Sequence, residues 1–315
     1  MKSHQRKLAV AALILFATAY CAKDKEAEQP AHKAADASAI SEASWERVVT
    51  GLNFPEGPAW DGKRALYFSN CYGGWITKLV NGHADTFLTA GASPFTFDKT
   101  NGMAFHEGYL FACDFGKGAI LKISPEGATE IYAQGFEGKA FNRPNDLVFD
   151  GAGNLYFTDP KTYSREILDG RIFRIRARDK SVEMIADSLG FPNGIAFSSN
   201  GKTLFVCESA FERVLCFKVE PGGQLSNKKT FITLPGGDPD GIECDREGNL
   251  YVAHFGGGAV YVIAPDGTIQ QKITAPGAKP TNLEFGGKNL SILFLTEVET
   301  NAVYQRQVEY AGVLH

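Results

Sequence analysis

Six residues recur at one position of a repeating pattern, and their types suit the binding of a hard cation. They are Glu56, Asn101, Asn145, Asn193, Asp240 and Thr281, separated by 45, 44, 48, 47 and 41 residues. Five of the six carry carboxylate or amide oxygen, and none is His or Cys. Oxygen donors without imidazole or thiolate fit one divalent cation of the calcium type, with magnesium, manganese or zinc as alternatives. Two carboxylates gathered without a partner raise each other's pKa values and cost stability, a penalty that a bound cation removes. Asn and Asp also form turns by bonding their own backbone, so a turn role stays open for part of the set. Glu56 does not fit that role.

These residues recur because the chain repeats. Six segments share a small turn, an apolar strand, a Gly-containing turn and a second strand: 55–70, 100–114, 144–159, 192–209, 239–254 and 280–297. A third strand follows in most units (AILKI at 119–123, RIFRI at 171–175, VLCFKV at 214–219, AVYVI at 259–263), then a turn such as SPEG or APDG and a fourth strand. A period in the forties built from short β-branched and aromatic strands predicts an all-β, six-bladed β-propeller with four-stranded blades. The last unit ends on a third strand near 302–308, while WERVV at 45–49 precedes the first unit. The N-terminal strand is therefore expected to complete the last blade and close the ring, leaving no open edge. In such a ring the innermost strands line the axis, and the six recurring residues converge there.

The rest of the chain sets context. A net charge of −4 and a pI near 5.9 supply no basic field for nucleic acid. Lys2, Arg6 and Lys7 precede the apolar run LAVAALILFATA (8–19), too short to span a bilayer but suited to a signal peptide. Cleavage after Ala17-Thr18-Ala19 competes with lipidation of Cys21, which Tyr20 disfavours and the polar stretch 22–44 favours as a tether. The expected layout is a signal peptide over 1–21, a disordered tether over 22–44 and the propeller over 45–315. The expected location is the bacterial cell envelope or the periplasm and beyond, with membrane contact only through a lipid on Cys21. None of the six cysteines shows the CxxC spacing of a metal site. Cys207 and Cys216 flank a hairpin and could bridge, or remain buried free thiols. Nothing in the composition sets an oligomeric state.

The motifs FPEGPAW (54–60), EGKAFNRPNDLVFDGAGNLYFTDP (137–160), FPNGIAFS (191–198), PDGIECD (239–245) and PTNLEFGG (280–287) carry a resemblance to the gluconolactonase and regucalcin (senescence marker protein) family. That family is related more distantly to paraoxonase and diisopropyl fluorophosphatase. The resemblance implies that Glu56, Asn193 and Asp240 ligate the metal, with Asn145 a fourth ligand or a substrate contact. It also implies that Arg143 contacts substrate; Asn101, the remaining amide of the ring, joins it as an expected substrate contact. Asp240 is the implied proton acceptor and donor, and Asp146 a second choice. The expected activity is opening of a small, sugar-type lactone, with the cation polarising the carbonyl and a carboxylate activating water.

Two departures bear on substrate. KTYS follows YFTDP where the family has PPYG, and Phe115 stands where bacterial lactonases carry histidine. A phosphotriesterase-like hydrolase would need apolar walls, which Phe54, Trp75, Phe95, Phe97 and Phe115 could supply. A noncatalytic surface propeller is the third reading, since fold alone does not imply activity. A second ring, Asn70, Asp114, Asp159, Glu208, His254 and Glu297, is expected in part at the opposite end of the channel. His254 is read as a general base or as a residue bonded to a neighbouring carboxylate.

Overall fold

The computed structural model describes residues 44–91 and 97–313. The basic and apolar N-terminal run, Cys21, the polar stretch up to residue 43 and Phe95 lie outside the described residues.

The described chain forms six four-stranded antiparallel sheets, each running in sequence order outward from the axis except the last. Their innermost strands are Pro55–Trp60, Thr100–His106, Leu147–Phe149, Pro192–Phe197, Asp238–Cys244 and Pro280–Gly286, and we number the blades 1 to 6 in that order. Blade 6 has the N-terminal strand Glu46–Thr50 as its outer member, paired with Ala302–Gln307 (Glu46 opposite Gln305, Thr50 opposite Ala302). Closure by the N-terminal strand therefore occurs as the repeat predicts.

Burial falls off radially, as the residue types demand. The second strands are almost wholly buried, and ALYFSN in blade 1 and LYFTD in blade 3 are buried at every position. The outer strands, LSNKKTFIT in blade 4 and IQQKIT in blade 5, are polar and largely exposed. Charged outer strands also blunt the free edge that each blade presents to solvent. Between blades, faces interlock through large side chains. At the closure, Trp60 of blade 1 stacks on Phe294 of blade 6, with ring centroids 6.1 Å apart, in a cluster with Phe68, Phe285 and Leu293. Burying one such ring contributes about 1.5–3 kcal/mol.

Neighbouring blades are also stitched around the axis by hydroxyls. Ser69 Oγ donates to the Asn101 carbonyl (2.7 Å), Thr158 Oγ1 to that of Asn193 (2.7 Å), Ser209 Oγ to that of Pro239 (2.8 Å) and Thr281 Oγ1 to that of Pro55 (2.9 Å). Cys113 and Cys207 stand at the strand position that Ser69 and Thr158 hold in their blades. The five cysteines among the described residues are all free and buried. Cys207 faces Val214 and Cys216 faces Phe205 across their strands, so the two do not meet as a bridge.

The second ring is not at the opposite end of the channel. Pairing sets Asn70 opposite Pro55, Asp114 opposite Thr100, Glu208 opposite Pro192, His254 opposite Pro239 and Glu297 opposite Pro280, all at the entry of an innermost strand. There these side chains hold the preceding loop by its backbone. Asp114 accepts from the N–H groups of Asp98, Lys99, Gly116 and Lys117 at 2.9–3.1 Å. Asp159 accepts from those of Asn142 and Arg143, Glu208 from Gly190, and Glu297 from Lys279. His254 is neither a base in a pocket nor bonded to a carboxylate. It is buried, with Nε2 2.8 Å from the Leu234 carbonyl oxygen and its ring edge-on to Tyr261.

Asp114→Ala strands four backbone N–H groups, and its unfolding in urea is expected to show a loss of about 2–4 kcal/mol. Asp114→Asn, which keeps one carbonyl acceptor, should lose less. An alanine variant as stable as the parent would contradict the anchoring role.

Candidate active site

At the entry of each innermost strand the backbone makes a small irregularity that turns one side chain to the axis. The pairing register shifts between Glu56 and Ala59, Thr100 and Met103, Pro192 and Ile195, Pro239 and Ile242, and Pro280 and Asn282. Such bulges bend a strand and re-aim its side chains. In blade 3 the regular strand begins only at Leu147, so Asn145 stands before it, though its N–H still bonds the Thr158 carbonyl at 2.9 Å.

The residue after each recurring position explains the convergence. It is Gly57, Gly102, Gly194 and Gly241 in four blades. A Cβ on Gly57 would lie 2.2 Å from the Asn101 carbonyl oxygen, and one on Gly194 2.3 Å from that of Asp240. Only glycine lets adjacent innermost strands approach so closely. The two exceptions are Asp146 and Asn282, whose side chains meet across the axis at 3.5 Å.

Glu56, Asn101, Arg143, Asn145, Asn193 and Asp240 line one pocket of about 190 Å³. Thr281 does not line it; its hydroxyl is spent on the Pro55 carbonyl and on Thr296 Oγ1 at 2.8 Å. Asp146 lines a second, smaller cavity with Asn282, Glu243 and Glu284. That placement separates it from the six.

Glu56 and Asp240 are buried, at 5% and 8% exposure. Burial pushes the Glu56 carboxyl up to about 8, the Asp146 carboxylate adds to the rise, and the Gly57 N–H at 3.1 Å opposes it. Asp240 is pushed well above the ordinary range by burial first and then by the Glu56, Asp238 and Asp146 carboxylates, against a hydrogen bond from Asn193. Burial likewise lifts Asp146 to about 7. Among the described residues neither Glu56 nor Asp240 forms an ion pair. Asn193 Nδ2 donates to Ser209 Oγ at 3.3 Å, which leaves Oδ1 as the atom with lone pairs to offer. Two buried, unpaired carboxylates beside two amides make a hard, net-negative donor set that fits a divalent cation. Among the described residues no three His, Cys, Asp or Glu side chains gather as a metal cluster, so amide oxygens must complete any such site.

The walls also contain residues that the sequence reading passed over: Cys71, Tyr72, Phe191, Asp238 and Phe255. Asp238 had a signal, because side chains two apart on a strand share a face and Asp240 is in the ring. The strap that departs from the family pattern supplies Tyr163. It is held by Thr162, whose N–H and hydroxyl both donate to Asp169 (3.0 and 2.7 Å), and Tyr163 donates to Asp238 Oδ1 at 2.7 Å. Phe115 does form wall, with the Arg143 guanidinium 5.7 Å from its ring centre, and so does Phe54. Trp75 and Phe97 do not. Trp75 Nε1 donates to Thr77 on its own strand, and Phe97 is packed in the core between blades 1 and 2.

Residues 54–299 match the family described as SMP-30/Gluconolactonase/LRE-like region. A gluconolactonase of Zymomonas mobilis is 29% identical over 280 residues, covering 78% of this chain and 77% of its own. The diisopropyl-fluorophosphatase of Loligo vulgaris is 30% identical over 219 residues, covering 64% of this chain and 69% of its own. Among solved structures, the gluconolactonase XC5397 of Xanthomonas campestris superposes with a TM-score of 0.76 at 27% identity, covering 86% of this chain and 92% of that one. Six blades closed by an N-terminal strand, one axial pocket and a match over most of the chain agree, and the protein belongs to the SMP-30/gluconolactonase/LRE-like family.

Proposed function

We propose that this protein is a divalent-cation-dependent lactonase. The observation that carries the reading is the pair of buried carboxylates, Glu56 and Asp240, in one pocket with three amides and no ion-pair partner among the described residues. The lactonase and fluorophosphatase relatives support a hydrolase of lactones or related esters.

Glu56, Asn145, Asn193 and Asp240 would hold the ion, calcium first on the hardness of their oxygens. When bound, such a cation supplies Lewis acidity toward the lactone carbonyl. Arg143 and Asn101 line the same pocket and orient the substrate. A carboxylate has two oxygens, so Asp240 can ligate with one and face the pocket with the other. It takes the proton of water as the water oxygen bonds the carbonyl carbon. When the ring C–O bond breaks, Asp240 returns that proton to the departing alkoxide, and a hydroxy acid leaves. A phosphotriesterase-like activity at the same site is the second reading, favoured by the squid relative and by the aromatic walls.

Export, with a lipid on Cys21 or after cleavage of the leader, belongs to the same proposal. Cys21→Ala is expected to move the protein from the membrane fraction to the soluble one if the lipid is present, and an unchanged distribution would leave simple secretion.

Asp240→Asn is expected to lower kcat on a lactone panel by about 10²–10⁴-fold, the usual worth of a positioned base. Glu56→Gln should weaken cation binding in calorimetry. Turnover within tenfold of the parent for the Asp240 variant would sink its catalytic role.

The raised Glu56 pKa makes a second prediction. Between its ordinary 4.5 and about 8, the folded metal-free protein keeps a proton that the unfolded chain releases. The stability it contributes is therefore full below 4.5 and is lost as pH rises through 8. A cation offsets that loss, so the rise in Tm on exchanging chelator for calcium should be larger at pH 8 than at pH 5. Equal shifts at both values would remove Glu56 from the cation site.

A further inference from the structure

The wall above the carboxylates is built from rings. Phe54 and Tyr72 come from blade 1, Phe115 from blade 2, Tyr163 from the strap of blade 3, Phe191 from blade 4 and Phe255 from blade 5. They also support one another. Tyr72 lies edge-on to Phe54 with centroids 4.7 Å apart, and Tyr163 lies tilted against Phe191 at 5.4 Å. Even so, Tyr72 and Tyr163 remain 58% and 54% exposed, which leaves one face of each ring uncovered by the described residues.

Two of these rings are held by a strained backbone. Phe54 and Phe191 adopt left-handed φ values of 57° and 58°, each directly before a proline. Bulky residues avoid this conformation, and it persists where the surroundings impose it. Here the Cys71 N–H fixes the Phe54 carbonyl at 3.1 Å, and the Ser209 N–H fixes that of Phe191 at 3.2 Å. The same residue in the same strain, in two blades, places both rings in the pocket wall.

Two polar groups beside the rings are already occupied: Asp238 accepts from Tyr163, and Ser209 is bonded to the Pro239 carbonyl and to Asn193. The Arg143 guanidinium lies over Phe115 and, with Asn101, is left to orient the lactone itself. A polyhydroxylated substrate needs partners for several hydroxyls, and each one buried without a partner is unfavourable. An apolar group needs only the rings.

We propose that the pocket selects a lactone bearing an apolar aryl or alkyl substituent over a polyhydroxylated sugar lactone, with the substituent packed on the exposed faces of Tyr72 and Tyr163. This rests on the lactonase reading of the same site and departs from the sugar-type substrate that the family resemblance implies.

The test uses the full chain with calcium and compares γ-phenyl-γ-butyrolactone, γ-butyrolactone and D-glucono-1,5-lactone. The phenyl lactone is expected to exceed the sugar lactone in kcat/KM by about tenfold or more. Tyr72→Ala and Tyr163→Ala should each reduce the ratio of phenyl to unsubstituted lactone by about fivefold. A sugar lactone turned over as well as the phenyl lactone overturns the proposal. Calorimetry with the corresponding unreactive lactams separates binding from chemistry. Tighter binding of the phenyl lactam without turnover of any lactone supports the apolar subsite and overturns the hydrolytic reading. Tighter binding of the sugar lactam, or binding of neither, overturns the subsite.

Discussion

Six strands that converge on one axis leave almost no room between their backbones, and that crowding shapes the rest of the molecule. Beside Gly57 and Gly194, the neighbouring carbonyl oxygen would stand 2.2–2.3 Å from any added Cβ. Glycine there is a condition of closing the ring. Where the following position is glycine, as after Glu56, Asn101, Asn193 and Asp240, the strands close in and the recurring residue is set toward the axis. The site is thus a by-product of closure, and its donors are as rigid as the ring.

Rigid convergence has an electrostatic cost. Glu56 and Asp240 lose their water, and burial drives both carboxyls far above their ordinary range. A cation that restored their charge would also replace the solvation lost on folding, so the burial that costs the ring stability would favour the proposed cation. Asp146 and Asn282 take the place of glycine in two blades and close the axis beneath, which separates the pocket from the smaller cavity lined by Glu243 and Glu284.

Position is maintained from behind. The carboxylates at the ends of the second strands, which occupy the same entry level as the site, spend themselves on backbone N–H groups of the preceding loops. Asp159 in this way fixes the Arg143 backbone, and with it the approach to Asn145. The loops can then vary in sequence, as the strap with Tyr163 does, without disturbing the donors.

The blade count, the N-terminal closure and the convergence of Glu56, Asn101, Asn145, Asn193 and Asp240 were legible in the repeat, while Arg143 came from the family resemblance alone. A repeat of fixed phase dictates its own symmetry, and symmetry brings equivalent positions together. What broke the symmetry was not legible. Thr281 holds the recurring position yet turns its hydroxyl to a carbonyl, and Asp146 points to another cavity. His254, Asp114 and Asp159 resemble a second functional ring by type but serve the backbone. Tyr72 and Tyr163 come from loops that no periodicity relates, while Trp75 and Phe97, equally aromatic, pack elsewhere. Strand spacing encodes which residues reach the axis; only three-dimensional packing decides which way a loop side chain turns and which hydrogen bonds its polar groups find first.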